Sequence, residues 1–364
     1  MVCMAMRGGL VKLMFSSAEI LERGRGLTFD DVLLVPRYSE VSSRRHPVLT
    51  AQITKKVQRP LPIIAANMDT ITELEMAKAM GMAGGLGILH RFMDIPEQVA
   101  QVQELKKFFT AQKIDCPVAA SVGVKEEGKQ RAAALVEAGV EILALDIAHG
   151  DSVMMLEQLR FVKEHFPQVE VIAGNVATAE GAKRLMDAGA DAIKVGIGPG
   201  AMCTTRLIAG HGVPQLTAIA LAASVAQVPL IADGGIRRSG DIVKALAAGA
   251  SSVMLGSMLA GTLETPGEIK NGRKMYRGMA SKKAQISWRG GVPEGMAAEG
   301  ESTMVACKGS VQDVLKEVTG GIRSGMTYLG VEHLQQIPGA AVFIEMSAAG
   351  LQESMPHGLA LGDR

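Results

Sequence analysis

The sequence predicts an α/β protein of the (β/α)8 TIM-barrel class, and three observations carry that expectation. Eight short apolar runs lie between positions 61 and 255, and most intervals between them hold a stretch of helical periodicity; this is the pattern of βα units around a parallel sheet. Several of the helical stretches stop at an Ala-Gly pair just before the next run, as at Ala138-Gly139, Ala188-Gly189 and Ala248-Gly249, where glycine supplies the left-handed end of a helix. The segments leaving the apolar runs carry polar groups and glycines, as the C-terminal rim of a closed barrel does.

In chain order, positions 1–26 read as a loosely ordered extension. Its first part is mildly apolar but interrupted by Arg7, Lys12 and glycines, so it lacks the unbroken core of a signal peptide. Positions 27–364 read as a single catalytic barrel domain, with a flap at about 276–306. Segment 27–36 is apolar enough to plug the bottom of the fold. The polar segment after it contains Ser43-Arg44, a solvated loop or, in the alternative, a contact to an anionic ligand. Strands are expected at 61–66, 85–89, 118–122, 142–147, 169–173, 190–195, 229–232 and 252–255. Helices are expected at 73–82, 97–108, 129–138, 154–165, 179–188, 215–226 and 239–248. The tail 347–364, broken by Gly and Pro, reads as surface-bound or disordered.

Composition bounds the function. The chain has 364 residues, 48% of them hydrophobic and 21% charged, which is a globular, soluble balance. Lys+Arg number 38 against 37 Asp+Glu, and there are only one Trp and three Tyr. Neither a basic excess nor a set of stacking platforms for nucleic acid is present. No apolar run approaches the roughly 18 residues of a membrane span. Cys3, Cys116, Cys203 and Cys307 lie far apart, without CxxC or metal-ligand spacing; they read as free thiols of a cytoplasmic protein.

The predicted rim concentrates the chemistry. The first strand runs into Asn67-Met68-Asp69-Thr70, the second into His90-Arg91, the fourth into Asp146-Ile147-Ala148-His149-Gly150 and the fifth into Gly174-Asn175. The sixth opens into Gly196-Ile197-Gly198-Pro199-Gly200-Ala201-Met202-Cys203-Thr204-Thr205-Arg206, a glycine-rich turn that delivers a thiol, two hydroxyls and an arginine. A thiol at the mouth of such a loop is placed as a nucleophile; alone, a buried small hydrophobe is its other reading. The seventh strand gives Asp233-Gly234-Gly235 and the eighth Gly256-Ser257. Backbone N–H groups of these last two loops are the usual phosphate seat of this fold. Asp233 beside them suits ribose hydroxyls, so the expected ligand is a nucleoside monophosphate or similar sugar phosphate. Taken singly, Asp69 or Asp233 also fits a helix N-cap.

These pieces resemble the family of IMP dehydrogenases and GMP reductases. The matching segments are 27–36, 67–70, 196–206, 233–235 and 254–261, with Gly278-Met279 and 320–326. The resemblance implies a purine-nucleotide barrel without flavin, in which Cys203 attacks C2 of the purine and a nicotinamide cofactor exchanges hydride there. It implies nucleotide contacts at Asp233, Gly234, Gly235, Gly256, Ser257, Gly278, Met279, Ala280, Met296 and Gly300. Cofactor contacts fall on Ser43, Arg44, Arg91, Asp146, Ile147, Ala148, Ile197, Gly198, Ser324 and Thr327, some of them reaching a neighbouring subunit of a homotetramer. A monovalent cation, K+, is implied at Gly198, Gly200, Cys203 and Arg206.

Within the family the flap leans toward the reductase. The interval between His90 and Val118 is too short for the CBS modules that the dehydrogenases usually insert there. The segment 278–292 ends in Gly-Gly-Val and continues to Ala298-Glu299-Gly300, which resembles the short reductase flap. No tyrosine lies between Arg277 and Thr327, whereas the dehydrogenase flap carries an Arg-Tyr pair that activates water. Thr205 and Glu299 are left as a proton relay for departing ammonia, and Arg44 or Arg91 pairing with a 2′-phosphate points to NADPH. Against this stand His149, Met296 where the reductases have an arginine, and Pro293-Glu294-Gly295, which makes Glu294 a rival carboxylate. The alternatives are an IMP dehydrogenase without its CBS module and a catalytically silent purine-nucleotide barrel.

Overall fold

The computed structural model describes residues 13–356. The chain enters through strand β1 (Met14–Ser16), a 3-10 helix at Ser17–Arg23 and strand β2 (Val32–Leu34). This corrects the loosely ordered extension for residues 14–23; positions 1–12 with Cys3, and 357–364 of the tail, lie outside the described residues. Phe15 and Ile20 are buried, and the last strand, β15 (Val342–Glu345), pairs antiparallel with both β1 and β2. Two buried side chains spread among polar neighbours suffice to dock the segment, and so sparse a pattern carries no clear period in sequence.

A hairpin of β3 (Ala51–Gln52) and β4 (Gln58–Arg59) comes next. It closes the N-terminal mouth of the barrel, a role the sequence suggested for 27–36. Arg59 donates to the carbonyls of Gly85 (3.0 Å), Gly81 (3.3 Å) and Asp115, and Lys56 N–H donates to Glu170 Oε2 at 3.0 Å. Segment 27–36 packs on the outer helices instead. Leu27 N–H donates to Thr217 Oγ1, and Lys244 Nζ donates to the Phe29 carbonyl.

The barrel consists of β5 (Ile63–Ala65), β6 (Leu86–Leu89), β7 (Ala119–Val122), β8 (Ile142–Asp146), β9 (Glu170–Val176), β10 (Ala192–Val195), β11 (Leu230–Asp233) and β12 (Ser252–Leu255). Each pairs in parallel with the next, and β12 closes on β5. Between them run α1 (Leu74–Ala83), α2 (Ile95–Gln112), α3 (Glu126–Glu137), α4 (Val153–His165), α5 (Ala179–Asp187), the single turn α6 (Thr205–Ile208), α7 (Gln215–Ala223) and α8 (Ser239–Ala247). The glycine stops hold, with Gly139, Gly189 and Gly249 all at positive φ. Asp94 and Thr178 cap α2 and α5 through bonds from Glu97 and Gly181 N–H, each satisfying one of the free donors of a first helical turn.

After β12 the chain departs from the simple repeat. Strands β13 (Arg273–Arg277) and β14 (Ser302–Ala306) pair antiparallel and raise a flap that carries α9 (Lys282–Arg289). The eighth barrel helix, α10 (Val311–Leu329), follows the flap and packs on α8 and α1. No helix is expected there from the sequence, since Gly320, Gly321 and Gly325 are poor helix formers. Short α11 (Ile337–Ala340) and α12 (Ala348–Glu353) finish the described chain on either side of β15. No described helix is long and apolar enough to cross a membrane.

Candidate active site

The cysteine loop leaves β10 through Gly196, whose φ is 144°. A Cβ there would stand 2.1 Å from the Asp233 carbonyl oxygen, so only glycine passes this close to β11. The flap ladder runs on beyond its named strands. Gly278 N–H donates to the Glu301 carbonyl at 2.9 Å and Glu299 N–H to the Ala280 carbonyl at 3.1 Å. The cysteine loop joins this ladder as a third strand, because Thr204 N–H donates to the Glu299 carbonyl (3.2 Å) and Glu301 N–H to the Met202 carbonyl (2.9 Å). Cys203 therefore lies opposite Gly300.

That pairing assembles the three residues expected to do chemistry. Cys203 Sγ donates to Thr205 Oγ1 at 3.2 Å, and Thr205 Oγ1 donates to Glu299 Oε2 at 2.8 Å. Glu299 is half-buried, whereas Glu294, the rival carboxylate, is exposed and does not line the cavity. Neither Asp69 nor Asp233 caps a helix. Asp69 receives the Arg277 guanidinium at the root of the flap, and Arg277 also donates to Ser287 Oγ of α9.

A cavity of about 520 Å³ opens at the C-terminal rim. Asp233, Gly234, Gly235, Gly256 and Ser257 line one wall, and Gly278, Met279, Ala280 and Met296 reach it from the flap. Arg91, Asp146, Ile147, Ala148, Ile197 and Gly198 line it as well. Gly300 stands behind Cys203 rather than in the wall. Ser43, Arg44, Ser324 and Thr327 are not brought to this cavity. They belong with the outer helix α10, where Arg44 stands 5.9 Å over the Tyr328 ring and Arg323 donates to the Pro47 carbonyl.

Among the described residues no cluster of His, Cys, Asp or Glu could hold a metal ion. The loop's own candidates for a monovalent cation are thus backbone carbonyls. Arg206 cannot ligate a cation through its guanidinium, which donates to the Val213 carbonyl at 2.7 Å. Only its carbonyl is left for that role, so its side chain is a strut of the loop.

Sequence reasoning missed the charged floor of the cavity. Lys194 is 3% exposed and its ammonium lies 2.7 Å from Asp146 Oδ1 and 2.8 Å from Asp233 Oδ2. Burial opposes its charge, but the two carboxylates outweigh that and raise its pKa above the usual lysine value. Burial likewise pushes Asp146 up, yet Lys194, Arg91 and a bond from Asn67 hold it below the ordinary carboxylate range. Tyr276, one residue before the tyrosine-free interval, is buried against Gly256. Burial, with Asp233 nearby, pushes its phenol up to about 12. The flap adds Trp288, whose ring meets Phe92 at 5.1 Å, with Arg91 4.7 Å over Phe92. No alternation in sequence marks Tyr276, because its buried partner on the same face of β13 is Lys274 while the apolar Met275 faces the other way; Lys194 showed only as a single charge inside an apolar run.

A closed parallel barrel whose C-terminal rim holds a thiol loop, a charged floor and a flap defines a TIM-barrel enzyme with a covered site. The family model for the IMP dehydrogenase / GMP reductase domain matches residues 26–357. The inosine-5′-monophosphate dehydrogenase of Cryptosporidium parvum is 42% identical over 385 residues, spanning 92% of this chain and 95% of that protein. The one from Nitrosopumilus maritimus (strain SCM1) is 36% identical over 475 residues, spanning 94% of this chain and 100% of the other. Among solved structures, a GMP reductase variant from Trypanosoma brucei in complex with guanosine 5′-monophosphate superposes with a TM-score of 0.85 at 33% identity, covering 94% of this chain and 100% of that one. The chain belongs to the IMP dehydrogenase / GMP reductase family and is an oxidoreductase of that family.

Proposed function

We propose that this chain is a GMP reductase, which converts GMP, NADPH and two protons to IMP, ammonium and NADP+. The observation that carries the reading is the chain of hydrogen bonds from Cys203 through Thr205 to Glu299 beneath a short flap. In this reading Cys203 Sγ bonds to C2 of the purine, and its proton passes through Thr205 to Glu299. The relay then returns a proton to the 2-amino group, which leaves as ammonia while the C2–S bond remains. A nicotinamide cofactor, when bound, would supply hydride to C2. Sγ is then expelled and IMP is released. The flap, laddered onto the cysteine loop, keeps water from that carbon, and no flap tyrosine between Arg277 and Thr327 offers to activate one.

The cavity wall suits a polar, anionic dinucleotide. Arg91 and Asn175 line it, and Arg91 Nε and Asn175 Oδ1 are buried without a hydrogen-bond partner. Arg91, Asp146, Ile147, Ala148, Ile197 and Gly198 would hold NADPH from this chain. Ser43, Arg44, Ser324 and Thr327 would serve a neighbouring subunit of a homotetramer, with Arg44 or Arg91 on the 2′-phosphate. The carbonyls of Gly198, Gly200 and Cys203 would hold K+. The relatives named inosine-5′-monophosphate dehydrogenase, together with His149 and Pro293-Glu294-Gly295, favour a second reading: NAD-dependent oxidation of IMP. Nicotinamide absorbance decides between them. Loss of signal with GMP plus NADPH supports the reductase, and a gain with IMP, NAD+ and a potassium salt supports the dehydrogenase. Silence in both assays overturns both.

A further inference from the structure

Lys194 is the last-but-one residue of β10, and its ammonium spans the barrel mouth from β8 to β11. The fold makes room for it at Gly174 of β9, where a Cβ would stand 2.6 Å from the Lys194 Cβ. The two carboxylates it joins are steadied from outside the bridge. Asn67 Nδ2 donates to Asp146 Oδ2 at 3.1 Å, and Asn175 Nδ2 donates to Asp233 Oδ2 at 2.9 Å. Arg91 faces Asp146 and Tyr276 faces Asp233. Among the described residues none donates to Asp233 Oδ1, and both carboxylates line the cavity. A fold that only had to fill this space could do so with an apolar side chain and no desolvation cost.

We infer that Lys194 is a positioning residue that couples the two halves of the cavity, so that a nucleoside monophosphate on Asp233 and a dinucleotide on Asp146 strengthen each other's binding. The inference rests on the reading in the preceding subsection, which assigns Asp233 to the nucleotide and Asp146 to the cofactor. Ribose hydroxyls on Asp233 fix the plane of that carboxylate. The ammonium, 2.8 Å away, is fixed with it, and Asp146, at 2.7 Å from the same nitrogen, follows. Ordering achieved by the first ligand is not required again of the second, which is positive cooperativity without a large movement. Linkage makes the effect reciprocal.

The test uses the full chain in a Cys203→Ala background, where ternary complexes form without turnover. Calorimetry measures GMP (or IMP) and NADPH (or NAD+) binding, each alone and with the other saturating. The expected result is a mutual gain of about fivefold or more. Lys194→Gln, which keeps donors but removes the charge, brings that gain to about one, and Lys194→Arg retains most of it. Asp146→Asn is the second variant, since it leaves the Lys194–Asp233 pair in place. It should keep nucleotide affinity within about twofold and lose the mutual gain. A merely structural lysine would lower both affinities and leave the gain intact; that outcome overturns the inference. A parent protein that binds both ligands with no mutual effect overturns it alone, and one that binds neither overturns the functional reading with it.

Discussion

The two mouths of the barrel are both built from buried charge, and they use it in opposite ways. At the N-terminal mouth most of the buried charge is spent on fixed partners; Glu170 Oε1 makes no hydrogen bond and has only the Lys56 ammonium at 3.4 Å. Arg59 is shared among three carbonyls, Asp191 takes Lys163 and the Val171 N–H, and Glu170 takes the Lys56 backbone. At the C-terminal mouth Asp146 and Asp233 share one lysine and still face an open cavity. The difference teaches what to look for in a covered site. Charge turned toward the barrel floor serves stability, whereas charge that lines an open cavity is available to a ligand. Substitutions at the two mouths should therefore separate turnover from stability.

The largest effect belongs to the upper rim. Cys203→Ala should lower turnover by about 10⁴-fold or more, the scale seen for lost nucleophiles, with the thermal midpoint unchanged. Surviving turnover would falsify the covalent reading. Glu299→Gln comes next, with an expected loss of about 10³-fold in kcat. Glu294→Gln is its control and should stay within about twofold of the parent; if the two results are exchanged, the relay has been assigned to the wrong carboxylate. The lower mouth supplies the converse. Arg59→Met strands buried carbonyls and should cost about 3 kcal/mol in denaturant unfolding, with kcat per folded molecule unchanged. A fall in kcat matching the fall in stability would erase the contrast between the mouths.

How far these mouths were legible in sequence differs in the same sense. The strands and helices of the repeat were readable because each is local: 252–255 was placed to the residue, and most others within two or three. The cysteine loop was readable because glycine, thiol and hydroxyl spacing is also local. The apolar run at 27–36 invites the role of plug, while the hairpin at 51–59 takes it through Arg59 and backbone bonds that no periodicity reports. Lys194 escaped for a related reason. Its partners lie 48 and 39 residues away, and only the closing of β8, β10 and β11 around one axis puts them within reach. Ser43 and Arg44 lie in the loop before the barrel, and within one chain Arg44 stands against Tyr328 of the outer helix α10, away from that chain's own cavity.

The smallest expected effect is one of pH, and it sharpens the comparison at the upper mouth. Asp146 has its folded pKa held below the ordinary carboxylate value, because Lys194, Arg91 and Asn67 outweigh burial. A depressed folded pKa means the unfolded chain takes up the proton first as pH falls. The stability that ionised Asp146 contributes is therefore fully present above the unfolded value of about 3.9, and it is lost as pH falls through the folded value. Asp146→Asn resembles the protonated side chain at every pH. The gap in urea midpoint between parent and Asp146→Asn should thus be constant from about pH 5 to 8 and narrow progressively below about pH 4. A gap that stays level or widens into acid would mean that the bridge contributes nothing to folding. Lys194 would then serve only the ligands that Asp146 and Asp233 face.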